Sequence, residues 1–109
     1  MRARPAILRV VDGYEAAYSR LDVRAAQAVW PSVDRQALQR AFGSLREQRL
    51  TLEDCALSVR GDRATARCSG TVQYRPRVGS RTLRELAGQW TITLKRGARG
   101  WAITHVDAR

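Results

Sequence analysis

Near residue 50 the apolar pattern of this chain changes period, and that change limits what it can fold into more than any other feature. Upstream, Ile7, Val11, Tyr14, Tyr18 and Leu21 recur at three- and four-residue spacing, with Val10 and Ala17 widening the stripe. That spacing puts them on one side of an α-helix over about residues 6–21, because a turn takes ~3.6 residues. Pro5 is tolerated in the first turn, where its missing N–H has no helical partner to lose. Asp22 can cap a second, short helix over 23–30, which Pro31 stops. A third helix starts near Ser32 or Asp34, sets Leu38, Ala41, Phe42 and Leu45 on one side, and ends or bends at Gly43.

From residue 50 the period is two. Cys55, Leu57 and Val59 alternate with Ala56, Ser58 and Arg60; Ala64, Ala66, Cys68, Val72 and Tyr74 alternate with Thr65, Arg67, Thr71, Gln73 and Arg75. Residues 75–82 read as a loop or as a break in a long hairpin. A third strand over about 84–96 sets Leu86, Trp90, Ile92 and Leu94 against Gln89, Thr91, Thr93 and Lys95. After the turn at 97–100, a last strand over 101–108 places Trp101, Ile103, His105 and Asp107 on one face. Helices followed by a meander imply a single α+β domain over 1–109, one long helix and two short ones packed on an antiparallel sheet of about four strands. The chain as given can equally be a domain excised from a longer protein.

The two cysteines, Cys55 and Cys68, flank a Gly61-Asp62 turn. Glycine at the first turn position suits a type II′ hairpin that pairs Arg60 with Arg63. Counting outward, Val59 meets Ala64, Leu57 meets Ala66 and Cys55 meets Cys68, a non-hydrogen-bonded pair with Cα atoms ~4.5 Å apart. The thiols face the core, so a redox centre is disfavoured, and the alternatives are a disulfide or two reduced core cysteines. A bonded pair would favour an extracytoplasmic location.

Charge narrows the choice of partners less than its size suggests. The net charge is +10, and arginine supplies every cation except Lys95. A basic surface of that kind fits nucleic acid or anionic lipid. However, the arginines are spread along the chain without a run of three, and Tyr74 is the one aromatic between Arg60 and Arg84, a poor base-stacking platform. A GC-rich coding sequence produces the same bias. No apolar run reaches the length of a membrane span or a signal peptide. His105 is the only histidine, and no cysteine spacing fits a zinc site, so neither a metal nor a cofactor is expected. Phosphate-binding loops, nucleophile elbows and Cys-x-x-Cys motifs are absent.

Two stretches carry a resemblance. "VVDGYEAAYSRLDVRAAQAVW" and "GWAITHVDA" resemble the first helix pair and last strand of the nuclear transport factor 2-like superfamily, with its SnoaL-like and steroid-isomerase-like branches. The resemblance implies a cystatin-like cone, a curved antiparallel sheet wrapped around the first helix with a pocket at its open end. It also implies frequent dimerisation through the outer sheet face. Its members include isomerases, cyclases and dehydratases, and many binding or accessory domains without catalysis, so the fold alone carries no function.

Tyr14 falls where steroid-isomerase-like members carry an oxyanion-stabilising tyrosine. The carboxylate base those enzymes place after the second helix has no counterpart, since residues 31–42 read as helix and Asp34 serves as a cap. His105 with Asp107 could form a general base; a hydrogen-bonded histidine at a pocket mouth or dimer face explains it as well. Tyr14, Tyr18, Trp30, Phe42, Trp90, Trp101 and His105 could line an apolar cavity for a small hydrophobic molecule, or the aromatics could simply fill the core. Three functions therefore compete. The first is a non-catalytic ligand- or partner-binding domain; the second is a small isomerase, cyclase or dehydratase using Tyr14 with His105 or Asp107. The third is an arginine-rich polyanion-binding module.

Overall fold

The computed structural model describes residues 3–109. Three helices, α1 (Ala3–Ser19), α2 (Val23–Val29) and α3 (Arg35–Gly43), precede four strands, β1 (Leu45–Arg60), β2 (Arg63–Pro76), β3 (Arg84–Gly97) and β4 (Gly100–Ala108). The strands form one antiparallel meander in the order β1-β2-β3-β4. The sheet begins at Leu45, not near residue 50, and α1 covers 3–19 instead of 6–21. None of the described helices is long and apolar enough to cross a membrane.

Capping chemistry sets the helix joints. The N–H of Asp22 donates to the Ala17 carbonyl (2.9 Å) and that of Leu21 to the Tyr18 carbonyl (3.3 Å). This is the double closure of a Schellman end, made here with Leu21 in the left-handed region at φ 54° where glycine is usual. Asp22 then caps α2 by accepting from the Ala25 N–H, and Asp34 caps α3 by accepting from the Ala37 N–H.

Apolar residues gather in two clusters. Ile7, Val11 and Tyr14 of α1 pack against Leu50, Ala64, Ala66, Cys68, Trp90, Ile92, Leu94 and Ile103 of the sheet. Ala17, Ala26, Leu38 and Phe42 join the three helices to one another. Trp90 is admitted by a glycine: a Cβ at Gly70 would lie 2.5 Å from the indole ring atoms, so only a bare backbone lets the ring lie across β2.

The β1 edge is covered by α1. Ser19 Oγ accepts from the Leu50 N–H (2.9 Å) and donates to the Leu50 carbonyl (3.2 Å), and Glu15 accepts from the Leu52 N–H (2.6 Å). The Gln48 side-chain amide donates to the Tyr18 carbonyl (2.8 Å). The match is geometric: four helical residues advance ~6 Å and two strand residues ~6.6 Å. Glu15 and Ser19 therefore meet successive outward-facing amides of the edge strand, which would otherwise be a template for pairing.

The sheet has three register shifts, one of them at the start of β1 between Leu45 and Glu47; the other two, near Cys55 and near His105, reset which residues face inward. Arg60 pairs with Arg63, Val59 with Ala64 and Leu57 with Ala66 as the hairpin count expects, and Gly61 has φ 58°. The count then slips between Glu53 and Ala56, so that Asp54 and Cys55 together stand opposite Cys68. Asp54 takes the left-handed conformation, φ 53°, that this extra residue requires. Cys55 and Cys68 are disulfide-bonded across the bulge with Cα atoms 4.1 Å apart. The other slip lies in β4, where Leu94 pairs with Ile103 but Thr93 pairs with His105, leaving Thr104 unpaired.

Candidate functional site

The β4 slip corrects the expected placing of His105 and Asp107. Ile92 and Leu94 face the core, and their partners are Val106 and Ile103. His105 lies opposite Thr93 and Asp107 opposite Thr91, which puts both on the outer face of the sheet. One extra residue in a period-two element reverses every later side chain. Trp101 and Ile103 thus keep the inner face while His105 and Asp107 lose it. Asp107 engages Arg109 at 2.9 Å, and His105 is exposed. Tyr14, on the other side of the sheet, meets neither.

Tyr14 sits where the α1 stripe meets the sheet and is 3 % exposed. Its ring centroid lies 4.2 Å from that of Tyr18, and Tyr18 meets Phe42 edge-on at 5.1 Å. These contacts form an aromatic file through the interior, a geometry favourable for ring quadrupoles. Burial pushes the Tyr14 phenol far above its ordinary range; the neighbouring Tyr18 adds to this, and hydrogen bonding from the Trp90 side chain partly opposes it. Burial likewise raises the Tyr18 phenol. A hydroxyl held neutral in this way can donate a hydrogen bond and is a poor proton acceptor.

The seven residues expected to line one cavity are divided among several places. Tyr14, Phe42 and Trp90 are core residues. Trp101 packs at the edge of the core with the Arg96 guanidinium 5.9 Å from its ring, and His105 is on the outer face. Tyr18 and Trp30 do share a pocket of about 340 Å³, whose other walls are Val33, Asp34, Ala37, Leu38 and Ala41. Ala37, Leu38 and Ala41, the α3 wall, are not among the residues expected from the sequence, which take only Phe42 from this helix. The sequence signal of this wall is the pair Ala37 and Ala41, one helical turn apart, where small side chains leave room opposite an aromatic. Asp34 stands at this pocket with one carboxylate oxygen already occupied by the Ala37 N–H. Among the described residues, no three His, Cys, Asp or Glu side chains gather where they could hold a metal ion.

No protein-family model and no curated protein matches the chain. Solved structures do. A nuclear transport factor 2-like superfamily protein from Salmonella enterica serovar Typhimurium superposes with a TM-score of 0.87 at 16% identity, over 98% of this chain and 89% of that one. A candidate dehydratase of the nuclear transport factor 2-like family from Streptomyces avermitilis gives 0.85 at 15% identity, over 97% and 94%. A candidate aromatic ring hydroxylase from Novosphingobium aromaticivorans gives 0.82 at 16%, over 98% and 93%. Helices on an antiparallel meander, matched over nearly the whole of both chains, make this a domain of the nuclear transport factor 2-like fold.

Proposed function

We propose that this domain binds a small apolar molecule or an apolar partner segment without transforming it. The observation that carries the reading is the pocket between Tyr18 and Trp30, about 340 Å³ and floored by alanine and leucine of α3. Its size falls at the lower end of the ~300–1,000 Å³ typical of ligand sites, and its lining is apolar with one carboxylate. The placing of His105 and Asp107 on the far face supports the same reading, since Tyr14 then lacks an acid–base partner. Pairing of two copies through the outer sheet face belongs to the proposal.

The test is a titration with a planar apolar quencher, such as nitrobenzene, followed by the part of the tryptophan fluorescence that Trp30→Phe removes, since Trp90 and Trp101 also emit. Saturable quenching is expected in the parent protein and in His105→Ala. Ala37→Phe, which fills the pocket from α3, is expected to abolish it. Quenching unchanged in Ala37→Phe would sink the proposal.

A second reading is favoured by the names of two structural neighbours, the candidate dehydratase and the candidate aromatic ring hydroxylase. In it, the Tyr14 phenol donates a hydrogen bond to developing negative charge in an isomerase-, cyclase- or dehydratase-type reaction. Turnover of an enolisable ketone that falls ~100-fold or more in Tyr14→Phe would establish it over the first.

A further inference from the structure

The end of the molecule formed by the start of β1, the end of β2 and the start of β3 combines arginine with exposed aliphatic side chains. The pairings Leu45 with Pro76, Glu47 with Arg75 and Tyr74 with Arg84 bring residues 45–49 and 73–86 together there. This end holds Arg46, Arg49, Arg75, Arg77, Arg81 and Arg84 against Glu47 and Glu85 alone. Arginines that look dispersed along the chain are thus gathered by the meander, and the opposite end gathers Arg60, Arg63, Lys95, Arg96 and Arg99 against Asp62 in the same way, so exposed aliphatics and not charge set this end apart. Among the described residues, the large hydrophobics left exposed are Val78, Leu83 and Leu86 here, at 86%, 42% and 58%, and Val59 elsewhere.

The loop presenting them has internal bonds. The Arg75 guanidinium joins Glu47 to the Arg81 carbonyl. The Ser80 hydroxyl bonds Thr82 through both its hydroxyl and its N–H, and Gly79 at φ 91° makes the turn beside Val78. Val78 is therefore held out at the apex, with Leu83 at the foot of β3.

We infer that this end docks on an anionic lipid bilayer, with arginines on the headgroups and Val78 and Leu83 entering the interfacial layer. This goes beyond the proposed ligand pocket and does not rest on it. Charge complementarity selects an anionic surface. The aliphatic character separates lipid from nucleic acid, because base stacking needs aromatic faces and Tyr74 is half-buried. A convex apex with a nearly bare valine suits a deformable interface better than a shaped protein surface. Each arginine brought to such a surface increases partitioning by about fivefold.

The test is co-sedimentation of the purified chain with phosphatidylcholine vesicles, with and without phosphatidylglycerol. Binding is expected only with phosphatidylglycerol, weakening as salt rises. Val78→Asn with Leu83→Asn, which removes apolar surface at constant charge, is expected to lower affinity ~10-fold or more, as is Arg77→Gln with Arg81→Gln. Arg60→Gln with Arg63→Gln, an equal charge loss at the opposite end, is expected to lower it less than twofold, about what a distant charge contributes through salt. Circular dichroism melts confirm that each variant is folded. Equal loss from both arginine pairs would show attraction to net charge alone and overturn the inference. So would indifference to Val78→Asn and Leu83→Asn, or binding of duplex DNA through this end with none to vesicles.

Discussion

Tyr14 shows how burial turns a polar residue into a stability term. Its phenol is raised from the ordinary 10.0 chiefly by desolvation. Below 10.0 the folded and unfolded chains both keep the proton, so Tyr14 adds no pH dependence. Above it the unfolded chain releases the proton and the folded chain does not, so stability falls as pH rises. Urea unfolding between pH 10 and about pH 11.5 is expected to show this falling limb. In Tyr14→Phe the limb should be shallower, with the remainder owed to Tyr18, whose phenol is raised as well. A limb of unchanged slope in Tyr14→Phe would contradict the assignment. The aromatic stripe was legible because Ile7, Val11, Tyr14 and Tyr18 repeat at helical spacing. That Tyr14 would be enclosed while Tyr18 borders an open pocket was not, since both occupy equivalent positions on the stripe and only α3 distinguishes them.

At the scale of elements, the β1–β2 hairpin is the most strongly specified part of the chain. The Gly61 turn, the alternation of Leu57 and Val59 against Ala64 and Ala66, and the disulfide all fix one register. A cross-link at a sequence separation of 13 is worth about 3 kcal/mol through the entropy of the unfolded chain. Reduction, or Cys55→Ala with Cys68→Ala, is expected to lower unfolding free energy by ~2–3 kcal/mol in guanidinium titrations. A loss below ~0.5 kcal/mol would mean that the hairpin's pairing already supplies the constraint. The bulges at Asp54 and Thr104 left a trace in the sequence: apolar residues step by three from Leu52 to Cys55, and from Ile103 to Val106, within patterns that otherwise step by two. In β1 the step falls outside the stretch that fixes the hairpin register. In β4 the polar pair His105 and Asp107 continues the period-two frame, so the slip is masked.

For the whole molecule, the question is what the two sides of the sheet do. The inner side is committed to α1 and the aromatic file. The outer side carries polar rows such as Arg67, Thr91 and Asp107, with opposite charges two strands apart. If two copies pack face to face there, a two-fold axis can set Arg67 of one against Asp107 of the other. The protein is then expected to sediment at twice its 12.2 kDa mass. Thr91→Arg, which adds a cation to the middle of the row, should return it to a monomer. A parent protein that sediments as a monomer at all accessible concentrations would remove the dimer from the proposal.

The sequence by itself determined the helix-then-meander order, the caps at Asp22 and Asp34 and the register around Gly61. It also placed the cysteines as a cross-strand pair. Each depends on neighbours within a few residues, through backbone hydrogen bonds, turn conformations or a fixed side-chain period. The tertiary structure alone decided which side of the sheet holds His105 and Asp107, and which aromatics border a pocket. It also decided that arginines from three separate strand ends share one tip. Those outcomes depend on how strands slip past one another and how α3 closes on α1, where a single unpaired residue such as Thr104 reverses a face without changing the composition around it.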